Sequence, residues 1–191
     1  MTNMSPATQF ALIATLVGTC GVAWRGDLVV ASRLPDARPA ATARFFAERR
    51  KAQERVPPEP VQQAITAMTG LLEGDRTDLS FIACGFEGVD PFAAKVYVVT
   101  RNLAPGETST YGEIAEEIGE KQRAREVGQA LGHNPLPIIV PCHRVLGAGG
   151  KLTGFSAPGG VQLKLKMLEI EGAQIGGAPG LFGDLPLSLK A

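Results

Sequence analysis

"NPLPIIVPCHRVLG", residues 134–147, sets a cysteine before a histidine and an arginine, behind an apolar run framed by three prolines. A thiol that only fills a core needs no such neighbours. A free cysteine titrates at about 8.5, and cationic neighbours such as His143, Arg144 or a helix N-terminus lower that value and raise reactivity. Leu136 to Val140 is short, apolar and β-branched, and Pro137 and Pro141 bias the residues before them toward extended geometry. The run therefore reads as a buried strand that delivers Cys142. Neighbouring side chains of an extended chain point to opposite sides, so Cys142 and His143 need a water or a turn to link them. Their adjacency opposes a thiol hydrolase, whose cysteine and histidine come from distant parts of the chain.

Upstream, "DPFAAKVYVVTRNL" opens with Asp90 as a helix cap and Pro91 in the first turn. After the turn at "APGE", Thr110 and Glu113 form a T-x-x-E capping box at the head of a short helix that Gly119 closes. "KQRAREVGQALG" follows as a second short helix, and the pair reads as a helix-turn-helix. Ala124, Gly128 and Ala130 keep the second helix thin, suited either to close approach to another surface or to packing within its own domain. From Lys121 to Lys166 the basic residues are Lys121, Arg123, Arg125, Arg144, Lys151, Lys164 and Lys166, against Glu126 alone. Such clustering suits a polyanion, and it equally suits a solvated face.

The first half declares no chemistry. Phe10 to Val17 and Val22 to Leu34 read as strands, with "RGD" at 25–27 as a glycine-centred turn. "ATARFFAERRKAQERV" reads as a helix that "PPEP" stops, Val61 to Glu73 as another, and "DLSFIACGF" as a further strand. The apolar run "FALIATLVGTCGVAW" has no lysine or arginine before Arg25 and is broken by threonine and glycine, so paired strands are expected there, and a cytoplasmic protein. Hydrophobic content of 45% with 20% charge describes a folded domain, and 19 basic against 19 acidic residues give no net charge to name a partner. Cys20, Cys84 and Cys142, with His133 and His143, match no zinc-ligand spacing, and no metal is expected.

The Cys-His segment resembles the active-site signature of the O6-alkylguanine-DNA alkyltransferases. The resemblance runs from about Pro91 to Gly172 and takes in "PGETSTYGEIA", "RAREVGQAL", "GKLTGFS" and "KMLEIEG". It implies an α+β fold: a small mixed α/β domain over residues 1–88, then a mostly helical domain over 89–172 with a helix-turn-helix and an active-site cysteine loop. Residues 173–191 are expected as a loop-like tail.

The same resemblance implies transfer of an alkyl group from guanine O6 in duplex DNA to Cys142, once per molecule, by a monomer without cofactor. His143 would take the thiol proton through a water, Glu171 would orient His143, and Asn134 would tie the helix-turn-helix to the loop. Tyr111 would donate to guanine N3 and help turn the base out. The carbonyls of Cys142 and Val145 would accept from the exocyclic amine, the Ser156 amide would reach O6, and Leu131 and Phe155 would wall the base. Arg125 would fill the gap in the duplex, with Thr110, Arg123, Gly128, Arg144 and Lys151 along the DNA. Phe155 stands where many relatives carry tyrosine, Tyr97 where tryptophan is common, and Glu126 where a small residue is frequent. The competing reading is a protein of the same fold that binds alkylated DNA without transferring, whose relatives lack the cysteine.

Overall fold

The computed structural model describes residues 7–175. Its first half is a four-stranded sheet of order β3-β2-β1-β4. β1 (Gln9–Thr15), β2 (Gly18–Arg25) and β3 (Leu28–Arg33) are antiparallel neighbours, and the "RGD" turn joins the last two. β2 is the most buried of the three, with Cys20, Val22, Ala23 and Trp24 almost without exposure, as expected of a strand flanked on both sides.

The helix expected after Pro39 is cut short. α1 (Pro39–Arg44) runs into one wide π turn, Phe45–Arg49, and Lys51 then turns left-handed at φ 51°. Gln53–Glu54 form β4, parallel to β1. Two forces outbid helix propensity here. Phe46 is drawn into the core, stacks on Phe10 at 5.3 Å, and packs where a side chain on Gly21 would lie only 2.4 Å from its ring. The open edge of β1 also offers partners, since Gln53 N–H donates to Thr8 and Arg55 N–H to Phe10.

α2 (Glu59–Leu72) follows, with Val61, Ala64, Met68 and Leu71 inward, and ends before Gly74 at φ 102°. "DLSFIACGF" is not a strand. Only Cys84 bridges to Val29, and Arg101 donates to the carbonyls of Leu79, Ser80 and Ile82, folding the segment into turns.

The second half is mostly helical. Asp90 caps α3 (Pro91–Arg101), its carboxylate accepting from Phe92 and Ala93. α4 (Tyr111–Glu117) begins at a complete capping box, with Glu113 N–H to the Thr110 hydroxyl and the Glu113 carboxylate accepting from Thr110 N–H. A tight 3₁₀ turn at 121–123 leads into α5 (Ala124–Gly132), the second helix of the helix-turn-helix. β5 (Ser109–Thr110) and β6 (Val145–Leu146) pair in parallel, and α6 (Gly160–Ile170) closes the fold.

Leu136 to Val140 is buried as expected but not extended. Ile138 sits at φ 79°, Val140 N–H returns to the Leu136 carbonyl, and Pro137 and Val140 form only an isolated bridge. The prolines remove the donors a ladder needs. The apolar core is continuous across residue 88, joining Trp24, Val61 and Met68 to Val96, Ile114 and Leu136. Ser32 stitches β3 to the loop, its N–H donating to Pro135 and its hydroxyl to Pro137. Among the described residues no helix is long and apolar enough to cross a membrane. The expected tail, 173–191, lies outside the described residues from 176 onward.

Candidate active site

Cys142 opens a 3₁₀ turn, Cys142–Arg144, in place of the end of a strand. The turn brings His143 and Arg144 inward to a common partner. His143 Nε2 lies 2.9 Å from Glu171 Oε1, and Arg144 grips both carboxylate oxygens, Nε to Oε2 at 2.8 Å and Nη2 to Oε1 at 2.7 Å. All three side chains are almost inaccessible.

Burial alone would raise the Glu171 pKa. The hydrogen bonds from His143 and Arg144 and their charges overcome it and set the carboxyl at about 2. Burial drives the His143 pKa below its usual 6.5, with Glu171 pulling it back only partly, so the imidazole is neutral at pH 7. A neutral imidazole against a carboxylate must place its hydrogen on Nε2. Nδ1 is left as the basic nitrogen, and it is buried without a hydrogen-bond partner among the described residues.

Arg144, expected along the DNA, is therefore committed elsewhere: its Nη1 donates to the Leu103 carbonyl at 2.6 Å and only 5% of the residue is exposed. Nor does it activate the thiol. Burial raises the Cys142 pKa, and the groups that push it back down are the Asn134 side chain, the Lys164 ammonium and the nearby amides. Asn134 also fixes the loop, donating to the Val140 carbonyl and accepting from Leu136 N–H just past the end of α5.

In sequence Lys164 is one of a basic cluster. It is fully buried, its Nζ donating to the carbonyls of Val145 at 2.6 Å and Thr153 at 3.3 Å and lying 6.0 Å from the rings of both Tyr111 and Phe155. Burial lowers its pKa to about 8, while Cys142 opposes the shift. Helical spacing puts Lys164 in line with Leu163, Met167 and Leu168, but by itself it does not separate Lys164 from Lys166.

A cavity of about 580 Å³ lies beside the thiol, within the ~300–1,000 Å³ common for small-molecule sites. Tyr111, Arg125, Gly128, Leu131, Phe155 and Ser156 line it with Cys142. A side chain on Gly128 would begin 3.8 Å from the Tyr111 ring, an ordinary contact distance, so the ring packs over this small residue of α5. Burial raises the Tyr111 pKa, which keeps the phenol a donor at neutral pH.

Val145 is buried outside the lining, and its carbonyl already accepts from Lys164 with a lone pair to spare. Arg125 and Lys151 are exposed. Arg123 lies over the Phe92 ring at 3.8 Å and pairs with Glu126 at 3.5 Å, so Glu126 neutralises a neighbour. The Thr110 hydroxyl is occupied by the capping box. Tyr97 donates to the Ala130 carbonyl from the core, which locks α3 to α5.

A thiol on the wall of a cavity shared with the second helix of a helix-turn-helix, followed in the chain by a buried neutral histidine, defines a DNA-binding protein with a cysteine nucleophile. The comparisons agree. Residues 91–173 match the family model for the 6-O-methylguanine DNA methyltransferase, DNA binding domain. The methylated-DNA–protein-cysteine methyltransferase of Mycobacterium bovis is 44% identical over 108 residues, 56% of this chain and 63% of that protein. In sequence the chain thus covers just under two thirds of that relative's length. The Methanosarcina acetivorans protein of the same name is 47% identical over 87 residues, 46% of this chain and 54% of its own. In structure, the Mycobacterium tuberculosis OGT in complex with DNA matches at TM-score 0.70 and 33% identity, covering 85% of this chain and 92% of that one. The chain belongs to the methylated-DNA–protein-cysteine methyltransferase family.

Proposed function

We propose that the protein repairs duplex DNA by moving the alkyl group of O6-alkylguanine onto Cys142. The observation that carries this is the shared cavity: Cys142 opens into the same space as Tyr111, Arg125 and Gly128 of the helix-turn-helix. O6 cannot be reached in line inside a stacked duplex, so the base must first swing out. Arg125, exposed on α5, fills the gap it leaves. The small residues of α5 let its backbone approach the groove closely. Lys151 supplies a phosphate contact nearby.

In the pocket, Leu131 and Phe155 hold the purine between apolar faces and Tyr111 donates to N3. The carbonyls of Cys142 and Val145 take the exocyclic amine, and the Ser156 amide meets O6. His143 Nδ1 draws off the thiol proton, through a water. The sulfur–carbon bond forms as the carbon–O6 bond breaks, and guanine leaves with a proton relayed by Tyr111. The balance closes without a cofactor: one thiol hydrogen ends on guanine and one alkyl group on sulfur. Held in place beforehand, the reactants avoid the entropy cost of meeting in solution. A thioether has no ready path back to thiol, so each molecule acts once. Residues 89–172 carry these steps and residues 1–88 support them, in a monomer working in the cytoplasm.

The test is to mix excess protein with duplex DNA bearing O6-methylguanine and weigh the intact protein. One added methylene on Cys142, and no product beyond one equivalent, is expected. Binding without a mass change would make the chain a lesion-binding protein, and repeated turnover would make it a hydrolase. Cys142→Ala should lose transfer and retain DNA binding.

A further inference from the structure

A second cavity, of about 260 Å³, lies between β3 and the end of α5. It shares Leu131, Gly132, Cys142, Phe155 and Ser156 with the first, so the thiol stands on their common wall. Its far side comes from the first half of the chain, through Arg33, Phe45 and Arg50.

That corner is unusually cationic. The Arg33 guanidinium lies 4.1 Å from the centre of the Phe45 ring and the Arg50 guanidinium 5.9 Å from the same centre. One carboxylate serves them, Asp36, at 3.4 Å from Arg33 Nη2. Arg50 has no ion pair among the described residues. Arg33 Nε is buried and has no hydrogen-bond partner among them. A cationic donor without an acceptor is costly to fold around, and the rest of the Arg33 guanidinium, on the chamber wall and partly exposed, is what an incoming anion can meet.

The geometry of displacement gives this chamber a role. Sulfur, carbon and O6 lie on one line in the transition state, so whatever else the carbon carries projects sideways past the sulfur. A methyl group projects only hydrogens. A longer chain must enter the space flanking Cys142, and at about 260 Å³ this chamber is many times the ~30 Å³ share of one water.

We propose that the chamber receives O6 substituents longer than methyl that end in a carboxylate, with Arg33 and Arg50 pairing the anionic end. The inference rests on the transfer reading above. The step is the same: the sulfur–methylene bond forms, the methylene–O6 bond breaks, the thiol hydrogen ends on guanine, and the carboxylate is carried along unchanged.

Single-turnover transfer from duplexes bearing O6-methyl-, O6-butyl-, O6-carboxymethyl- and O6-(3-carboxypropyl)guanine tests it. The wild-type protein should take at least one carboxyalkyl group roughly tenfold faster than butyl, the scale of one charge-assisted hydrogen bond. The Arg33→Gln/Arg50→Gln double variant should lose that advantage while methyl transfer holds, and Arg33→Lys should retain part of it. Arg50 is exposed, so Arg50→Gln alone tests the idea should Arg33 variants fail to fold. Equal butyl and carboxyalkyl rates in the wild type, an equal slowing of all four substrates, or an unchanged carboxyalkyl rate in Arg50→Gln would overturn the proposal. Methyl transfer separates the two readings: if it proceeds while the carboxyalkyl preference is absent, only the chamber assignment falls, and if it is absent, the transfer reading falls with it.

Discussion

His143 is useful because of what Glu171 denies it. With the carboxyl set at about 2 and the imidazole held below its ordinary 6.5, Nε2 keeps its hydrogen and Nδ1 stays unprotonated at neutral pH. Transfer should therefore fall in acid as His143 takes up a proton, while the alkaline side is governed by Cys142, raised by burial, and by Lys164 at about 8. Glu171→Gln removes the charge that props up the His143 pKa, so the acid limb of the rate profile should move to lower pH even as the plateau drops. A limb that moves upward would contradict this pairing. The stability effect has its own sign. A carboxyl depressed from 4.5 to about 2 on folding stabilises the protein fully above pH 4.5, and that stabilisation is lost as pH falls toward 2. Below 6.5 the buried neutral imidazole costs stability in the same direction, because the unfolded chain takes up a proton there that the native state refuses. Glu171→Gln should cost about 3–5 kcal/mol at pH 7, since it strands buried Arg144, and its urea midpoint should change less than the wild type's between pH 4.5 and 2. At this scale the motif carries much of what can be read: Cys142 and His143 are nameable from residue types and order, and Glu171 only through the family resemblance. Lys164 was not, because "LKLKMLEI" presents two lysines and only the docking of α6 decides that Lys164 turns inward while Lys166 reaches the Leu16 carbonyl.

Elements were legible where the signal is local. The Asp90 cap and the Thr110–Glu113 box need only a few neighbouring residues to form, and both are present with the expected partners. The box matters to the site because Tyr111 is the first residue of α4. Thr110→Ala should lower the unfolding free energy by about 1 kcal/mol, with an unchanged dependence on urea, and Thr110→Ser should restore most of it. A neutral Thr110→Ala would mean that packing alone holds this helix start. Strands failed where the outcome depends on a distant edge. Leu136–Val140 and 78–86 have strand-like composition, yet β3 offers each only one or two bonds, through Ser32 and Val29. The helix after Pro39 failed for the converse reason: β1 had an edge to give, and residues 53–55 took it.

At the scale of the molecule, the basic run from Lys121 to Lys166 is thinner than its sequence suggests. Lys121 pairs with Glu116, Arg123 with Glu120 and Glu126, and Arg144 with Glu171; Lys164 is buried, and Lys166 is spent on Leu16. Of that run, only Arg125 and Lys151 are exposed with neither an ion pair nor a side-chain hydrogen bond among the described residues; Lys166 is exposed too but donates to the Leu16 carbonyl. Each cation that neutralises a phosphate releases condensed counterions and adds about 0.9 to the slope of log affinity against log salt. A run of seven read at face value predicts a slope of about −6; with two free cations it is about −2. Titrating undamaged duplex from low to moderate salt distinguishes them, and Arg125→Ala or Lys151→Ala should each flatten the line by up to about 1. A slope near −6 would show that the ion pairs on α4 and α5 open on contact with DNA, freeing Lys121 and Arg123 for phosphates. A shallow slope has a functional corollary: with little affinity drawn from the phosphate backbone, recognition of damage would have to come from the cavity lined by Tyr111, Phe155 and the thiol, where the proposed mechanism puts the extruded base.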